Sequence, residues 1–249
     1  MKRSIALVLV YFLLQLLATG LIALIINQGS TVNIQQTTVL GLLISDFLMA
    51  GVLLYMGYMR DKKQWEPVAP SFMLWTFVAG ISAIFITDTI SSLADFLPDL
   101  LEDSFASIES SWAGVLAITI VGPVLEEMLF RGAITTELLK CYNPKYAIFL
   151  SALFFGIFHL NPAQILTAFL IGLLLAWLYY KTQSLWPGIL VHIMNNSLAV
   201  YFTNANPEED SLVQLLGPAP FFICLMLSIL MLVLSVWKLN HWQEGNHLP

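Results

Sequence analysis

Long apolar blocks alternate with short polar seams along most of the chain. A helix rises about 1.5 Å per residue and needs roughly 20 apolar residues to cross a bilayer, and most blocks approach that length. The blocks do not show the alternation at every second residue that is typical of outer-membrane β-strands. We therefore predict an all-α polytopic membrane protein with about eight transmembrane helices. The predicted spans are Ile5–Ile26, Thr38–Met59, Phe72–Leu93, Trp112–Leu139, Tyr146–Leu160, Ala163–Tyr180, Leu185–Phe202 and Pro218–Leu239.

The composition supports a membrane domain and excludes several other classes of protein. Hydrophobic residues make up 58% of the 249 residues and charged residues only 10%, whereas soluble domains carry about 25% charged residues. The net charge is −6, and no basic patch is present that could neutralise nucleic-acid phosphates. Cys141 and Cys224 lack CxxC spacing, so neither a disulfide framework nor a thiolate metal site is expected. Residues 1–249 carry no internal repeat and are predicted to form one membrane domain.

The basic residues predict the orientation of the chain. Cytoplasmic loops carry an excess of Lys and Arg, and eight spans with both termini inside place all ten basic residues at or near the cytoplasmic side. The run Ile5–Ile26 is too long for an ordinary signal-peptide core, so we predict a retained first span. The short loops and the lack of an organelle signal favour a bacterial plasma membrane.

The outer loop, residues 93–111, is predicted to be either an interfacial helix that opens at Pro98 or a solvated acidic loop.

Ionisable residues interrupt the fourth predicted span. Such residues are rare in hydrocarbon and usually face a bundle interior or a wet cavity. Glu127 and Arg131 are four residues apart, so they share one helix face and can pair. Glu126 points about 100° away and faces a different environment. Pro123 removes a helical hydrogen bond and is expected to kink the helix just before the two glutamates. Two carboxylates in different environments can take different roles in acid–base chemistry.

Two later spans carry imidazoles at a matching depth. Phe155 and His159 share a face of the fifth span, and His192 and Asn196 share a face of the seventh. Counted from the nearest cytoplasmic lysine, Glu126 and His159 each lie 14 residues into the membrane and His192 lies 11, which corresponds to about 21 Å and about 16 Å. The fifth and sixth predicted spans are short, which indicates a cavity open to water. A carboxylate pair with imidazoles in such a cavity can activate a water molecule.

Each of these residues also has a purely structural interpretation. Glu127 and Arg131 can simply neutralise one another, a buried histidine is often only a hydrogen-bonded core residue, and Asn196 can join two helices. The coincidence of two histidines and two carboxylates at one depth favours chemistry. Asp46, in the second span, is expected to serve packing or a polar network.

The residues together resemble a known family. Its three motifs, in this order along the chain, are similar to Glu126-Glu127-x-x-x-Arg131, Phe155-x-x-x-His159 and His192-x-x-x-Asn196. The family is that of the CAAX proteases and bacteriocin-processing enzymes, also called CPBP or Abi. The resemblance covers residues 112–202, and residues 1–111 match no family that we can name.

This resemblance implies an eight-span α-helical intramembrane endopeptidase. It implies that Glu126 activates a water molecule for attack on the scissile carbonyl and that His159 is a second catalytic partner. The other motif residues would complete the site: Glu127 and His192 as catalytic partners, Asn196 as stabiliser of the oxyanion, Arg131 as the residue that orients the carboxylates, and Phe155 in support.

The sequence permits two kinds of catalysis. Members of the family have been described both as metalloproteases and as glutamate proteases without a required metal. Glu127, His159 and His192 could bind a divalent metal such as zinc with one open position. The HExxH motif is absent, however, and these ligands would come from three separate helices. We expect a metal-independent glutamate mechanism, with the zinc-dependent one as the alternative.

The predicted function is hydrolysis of a peptide bond in a membrane-associated or lipidated peptide or protein. The alternative is a non-catalytic immunity or regulatory protein of the membrane that binds a bacteriocin-like peptide or a sensor. A proton-coupled transporter would often carry inverted repeats, and the sequence has none. Because bacteria generally lack prenylated CAAX proteins, we expect a signal-like or bacteriocin-type peptide as substrate. The expected partners are thus the lipid bilayer and this peptide; the sequence does not indicate the oligomeric state.

Overall fold

The computed structural model describes residues 1–26, 34–94, 96–205 and 211–242. Within these ranges the chain forms helices joined by short turns, and no strand occurs among them. This confirms the predicted all-α architecture. The ten helices of the described ranges are α1 (Lys2–Ile26), α2 (Ile34–Tyr55), α3 (Pro70–Ser92), α4 (Glu102–Glu109), α5 (Trp112–Leu139), α6 (Pro144–Phe158), α7 (Pro162–Thr182), α8 (Trp186–Ala205), α9 (Leu212–Leu216) and α10 (Pro218–Asn240). A 3₁₀ turn, Lys62–Trp65, lies between α2 and α3.

Six helices within the described ranges are long and apolar enough to cross a membrane, namely α1, α2, α3, α5, α7 and α10. Helix α6 has only 15 residues. Helix α8 has 20 residues, but His192 and three asparagines make it more polar. Each of the eight predicted spans coincides with a helix, so the polytopic prediction is confirmed and the count of eight is approximate. Helix α7 has 21 residues and is longer than predicted.

Helix α5 changes between α- and π-helical hydrogen bonding along its length. Its α-helical segments are Trp112–Leu116, Gly122–Glu127 and Thr136–Leu139, and its π-helical segments are Ala117–Val121 and Met128–Thr135. A π-helical turn widens a helix, and such turns are frequent at functional sites. One widened segment ends just before Gly122 and Pro123, and the other begins directly after the two glutamates.

The other helices pack around α5. Helices α1 and α2 pack against each other and against α5, while α6 and α7 form a close pair that contacts its second π-helical segment. Gly156 permits that close approach, because a Cβ atom there would lie 2.8 Å from the carbonyl oxygen of Ile165. Helix α8 packs against α3, α7 and the first half of α5. The helices that carry the predicted site residues are therefore neighbours.

The outer loop docks onto the turn between α6 and α7. The loop contains a helix, α4, which begins at Glu102 rather than at Pro98. Asp99 accounts for the later start, because its Oδ1 atom accepts a hydrogen bond from Leu101 N at 2.9 Å and forms a turn ahead of the helix. The side chain of Asn161, which is fully buried, donates to the same Oδ1 atom at 2.9 Å. The loop is thereby held close to the end of α6, where His159 lies.

Candidate active site

The fourth predicted span buries an ion pair at the centre of the bundle. Arg131 Nη1 donates to Glu127 Oε1 at 2.8 Å, and neither side chain has any exposed surface. Arg131 Nη2 also lies 3.4 Å from the carbonyl oxygen of Gly172, and the guanidinium stacks over the Phe155 ring at 4.4 Å from its centroid. The pairing predicted from the four-residue spacing is therefore present, and it holds the Glu127 carboxylate in one position.

Glu127 in turn orients His192. The Nδ1 atom of His192 lies 2.9 Å from Glu127 Oε1. Because an ionised carboxylate only accepts hydrogen bonds, Nδ1 carries the hydrogen and donates it. In the neutral ring the lone pair is then on Nε2, which lies 3.7 Å from Glu126 Oε2. This arrangement resembles the carboxylate–histidine pairs that set the tautomer of an imidazole in metal and proton-transfer sites.

Glu126 has a different environment from its neighbour. Its side chain is 20% exposed, whereas that of Glu127 has no exposed surface. The Oε2 atom of Glu126 is buried and has no hydrogen-bond partner among the described residues. Both Glu126 Oε2 and His192 Nε2 can therefore bind the same small polar group, at a distance where a bridging water is common. The two adjacent carboxylates have different surroundings because their side chains point about 100° apart on the helix.

His159 is fixed by its own helix. Its Nδ1 atom lies 2.8 Å from the carbonyl oxygen of Phe155. A carbonyl oxygen only accepts, so Nδ1 donates and the neutral ring presents its lone pair at Nε2. The ring of Phe155 lies between the two imidazoles, with its centroid 4.9 Å from that of His159 and 5.4 Å from that of His192. The three predicted stretches thus meet around Phe155.

Asn196 is bound to the backbone of α5. Its Nδ2 atom donates to the carbonyl oxygen of Ile118 at 2.8 Å, and its Oδ1 atom accepts from Asn195 Nδ2 at 3.1 Å. In the π-helical pattern of Ala117–Val121, the partner of the Ile118 carbonyl would be the N–H of residue 123. Residue 123 is proline and has no N–H. The amide of Asn196 therefore replaces a backbone donor that Pro123 removes.

Two glycines complete the site, and sequence reasoning missed both. A Cβ atom on Gly188 would lie 2.5 Å from Glu127 Oε2, and one on Gly172 would lie 3.1 Å from Phe155 Cδ1. Gly188 follows Pro187 at the start of α8, which from sequence alone is typical of an ordinary helix start. Its contact with the carboxylate depends on how α8 crosses α5.

The N-terminal helices add a buried polar pair beside the site. The hydroxyl of Tyr11 donates to Asp46 Oδ1, and both residues are buried. The ring of Tyr11 stacks on that of Phe158 at a centroid distance of 5.1 Å, and Phe158 contacts His159. Asp46 thus belongs to a polar contact between α1 and α2, as predicted, and its partner could not be identified from spacing.

The candidate metal ligands do not fit a metal ion in this arrangement. Within the described residues, no group of three or more His, Cys, Asp or Glu side chains is close enough together to hold one. Glu127 Oε1 is already bonded to both Arg131 and His192.

Comparisons with known proteins find relatives of the segment that carries this site. The family model described as type II CAAX prenyl endopeptidase Rce1-like matches residues 108–198. The chain is 35% identical over 86 residues to the putative membrane peptidase YdiL of Bacillus subtilis (strain 168), an alignment that covers 34% of this chain and 35% of the relative. It is 30% identical over 100 residues to the membrane-embedded CAAX protease MroQ of Staphylococcus aureus (strain USA300), which covers 38% of this chain and 40% of the relative. No solved structure matches the chain.

These matches are confined to one part of each protein. The chain aligns with only about two fifths or less of the length of these curated relatives. The aligned family segment nevertheless contains all the motif residues from Glu126 to Asn196. Residues 108–198, the segment that carries the three motifs, are therefore similar to the CAAX protease family.

Proposed function

We propose that this protein is an intramembrane endopeptidase that hydrolyses a peptide bond in a membrane-associated peptide, with Glu126 as the base that activates water. One observation carries the proposal: Glu126 Oε2 and His192 Nε2 face each other at 3.7 Å, beside a buried ion pair that holds His192 in place. The family match and the names of the two relatives, a putative membrane peptidase and a CAAX protease, support hydrolysis of peptides.

The hydrogen-bond pattern favours Glu126 over Glu127 as the base. Glu127 Oε1 is engaged by Arg131 and His192, and both contacts hold negative charge on that carboxylate. Glu126 Oε2 has no such partner among the described residues. A water molecule in the pocket can donate one hydrogen to Glu126 Oε2 and the other to His192 Nε2. Both lone pairs of its oxygen then stay free of these two contacts, and one is available for attack.

The reaction balances without a further reactant. Glu126 takes a proton from water as the water oxygen bonds to the peptide carbonyl carbon. When the C–N bond breaks, the leaving nitrogen takes that proton from Glu126, and the carboxylate is restored. Asn196 Nδ2 has a second hydrogen besides the one bonded to Ile118 O, and we assign it to the developing oxyanion. His159, whose ring contacts Phe155 beside His192, is the second histidine of the pocket.

Substitution of Glu126 tests the proposal in purified protein reconstituted in liposomes. Two quenched-fluorescence probes are used: an S-farnesylated CAAX peptide, and an unlipidated peptide with an apolar leader. Glu126→Gln keeps the shape of the side chain and removes the base, and loss of a general base costs about 10²- to 10⁴-fold in kcat. Glu66→Gln, an exposed residue of the same type, is the matched control and keeps full activity. Full activity of Glu126→Gln with either probe would end the proposal.

The two probes also separate the substrate classes and the alternative function. We propose that the unlipidated leader peptide is the better substrate, because both curated relatives are bacterial proteins. If the wild-type protein binds the leader peptide and cleaves neither probe, a non-catalytic immunity or regulatory role replaces hydrolysis.

We further propose that hydrolysis requires no metal. The geometry supports this, because among the described residues no three His, Cys, Asp or Glu side chains lie close enough together to hold one ion. Treatment with 1,10-phenanthroline, followed by gel filtration into metal-free buffer, is expected to leave cleavage unchanged. Activity that is lost and then restored by added zinc would contradict this part of the proposal.

The orientation of the chain belongs to the same proposal. With both termini on the cytoplasmic side of a bacterial plasma membrane, nine of the ten basic residues lie at or near the cytoplasmic face, and the tenth is the buried Arg131. Cysteine labelling of intact cells tests this with an impermeant maleimide. A cysteine in the outer loop between α3 and α4 is expected to react, and native Cys141, at the end of α5, is expected to remain unlabelled.

A further inference from the structure

We propose that Gln64 is a positioning residue for the catalytic helix α5, although it lies outside the segment that matches the family. This inference rests on the proposed function. Gln64 belongs to the 3₁₀ turn Lys62–Trp65 between α2 and α3. The two residues before it, Lys62 and Lys63, are exposed. Gln64 itself is only 3% exposed. A polar side chain that leaves a charged surface turn to enter the bundle needs a specific set of partners.

The partners of Gln64 belong to three helices or helix starts. Its Nε2 atom donates to the carbonyl oxygen of Gly132 in α5 at 3.0 Å and to the hydroxyl of Tyr179 in α7 at 3.1 Å. Its backbone carbonyl accepts from Leu185 N, just before α8, at 2.8 Å. Because the Gly132 carbonyl can only accept, the amide nitrogen of Gln64 must face α5. One side chain and its own backbone thus connect α5, α7 and α8.

The contact falls on the widened part of α5 that carries the ion pair. Gly132 directly follows Arg131 and lies in the π-helical segment Met128–Thr135. In this segment the carbonyls of three successive residues accept hydrogen bonds from side chains. These bonds are Thr135 Oγ1 to Phe130 O at 2.7 Å, Thr136 Oγ1 to Arg131 O at 3.4 Å, and Gln64 Nε2 to Gly132 O at 3.0 Å. The two threonines belong to α5 itself, whereas Gln64 reaches α5 from the turn between α2 and α3.

The turn that carries Gln64 is also fixed to the start of α8. Ser184 Oγ donates to the carbonyl of Glu66 at 2.8 Å, and Trp186 Nε1 donates to the carbonyl of Trp65 at 3.1 Å. Helix α8 presents Gly188 against Glu127 and carries His192. Helix α5 carries Glu127 and α8 carries His192, and the two side chains meet at 2.9 Å. The turn that contains Gln64 contacts both helices. Displacement of Gly132 would be transmitted to Arg131 and from there to the Glu127–His192 contact.

The variant Gln64→Met tests the role, because methionine has similar length and volume but no donor. We expect kcat for the leader-peptide probe to fall by about 10- to 100-fold, since small misplacements of catalytic groups carry losses of this size. KM is expected to change by less than about twofold, because the Gln64 side chain bonds to Gly132 and Tyr179 rather than to Glu126 or His192. Tyr179→Phe removes the second acceptor of Nε2 and the contact of the Tyr179 hydroxyl with Thr136 Oγ1. It is expected to have a smaller effect, because the bond from Gln64 to Gly132 remains.

Gln183→Met is the matched control. Gln183 also donates its amide to backbone carbonyls, those of Tyr179 and Tyr180, but at the surface end of α7 and without contact to α5. Its kcat is expected to equal that of the wild type. A fall in kcat for Gln183→Met as large as that for Gln64→Met would overturn the proposal. So would an activity of Gln64→Met that equals the wild type once corrected for the folded fraction.

A second measurement distinguishes failure of this inference from failure of the proposed function. Amide hydrogen exchange of the peptide that contains residues 128–139 does not depend on catalysis. We expect faster exchange there in Gln64→Met and unchanged exchange in Gln183→Met. If the wild type cleaves neither probe but this difference appears, the proposed function fails while the anchoring of α5 stands. Unchanged exchange in Gln64→Met contradicts the anchoring itself.

Discussion

Residues 108–198 and residues 1–94 both bury polar side chains, but they arrange them differently. In the first region, Arg131, Glu127 and His192 form one continuous chain of contacts that ends at Glu126. In the second, the Tyr11–Asp46 pair and Gln64 form separate contacts along the outside of that chain. In the proposed function, residues 108–198 supply the reacting groups, and the N-terminal helices pack around them and hold α5 in position.

The strongest test of this difference is removal of the buried cation. Arg131→Met leaves Glu127 as a buried carboxylate without its cation, and breaking such a pair costs about 3–5 kcal/mol of unfolding free energy. Cleavage of the leader peptide is expected to fall by at least about 100-fold, because His192 loses its orientation. Arg3→Met is the control: Arg3 lies 3.7 Å from Glu137 but its side chain is 77% exposed, so its loss costs less than about 1 kcal/mol. Thermal melting in detergent and liposome cleavage measure both. Equal losses for the two variants would contradict the special role of the inner pair.

A single added methyl group next to Glu127 is expected to have the next largest effect. Gly188→Ala places a Cβ atom 2.5 Å from Glu127 Oε2, so the carboxylate or α8 must move. We expect about a 10- to 100-fold lower kcat. Gly51→Ala, in α2, adds the same methyl where no atom lies within 4 Å, and it is expected to be neutral or slightly stabilising. Wild-type kinetics for Gly188→Ala would show that the Glu127 position is not critical.

The hydrogen bond from Asn196 to the Ile118 carbonyl can be tested by restoring the backbone N–H that Pro123 lacks. Asn196→Leu leaves the Ile118 carbonyl without its donor, which costs about 1–3 kcal/mol in a buried environment. Adding Pro123→Ala supplies a backbone N–H at residue 123 and is expected to recover part of this stability. Asn195→Leu, which removes only a side-chain contact to Asn196, is the control. If Pro123→Ala gives no recovery in melting experiments, the carbonyl is not the reason for the loss.

The smallest effect on cleavage is expected in the N-terminal region. Tyr11→Phe removes the donor to the buried Asp46 carboxyl, which costs about 1–3 kcal/mol of stability. Cleavage by the folded protein is expected to stay within about threefold of the wild type, equivalent to less than 1 kcal/mol in the barrier. A loss of kcat comparable to that of Glu126→Gln would place Tyr11 and Asp46 among the reacting groups and remove the distinction between the two regions.

Local spacing along the helices could be read from the sequence. The four-residue separation of Glu127 and Arg131 predicted their pairing, and counting from the cytoplasmic lysines predicted that three stretches reach one level. The helical architecture followed from the length of the apolar blocks. Each of these inferences depends only on the rise and period of a helix.

Features that depend on how helices cross could not be read in this way. The contact of Gly188 with Glu127 requires the position of α8 relative to α5. The donor for the Ile118 carbonyl requires both the π-helical register and the missing N–H of Pro123. Gln64 lies in a charged turn that is typical of a solvated surface, and only the bundle shows that its side chain points inward.

The most direct test of the central claim, that Glu126 and His192 act on one water molecule, is a double-mutant cycle in the liposome cleavage assay. Glu126→Gln, His192→Gln and the double variant are compared by kcat/KM for the leader peptide. Residues that act as a unit are strongly non-additive. We therefore expect the double variant to be no more than about threefold slower than the slower single variant. Losses that multiply would show that the two side chains act independently and would contradict the shared pocket.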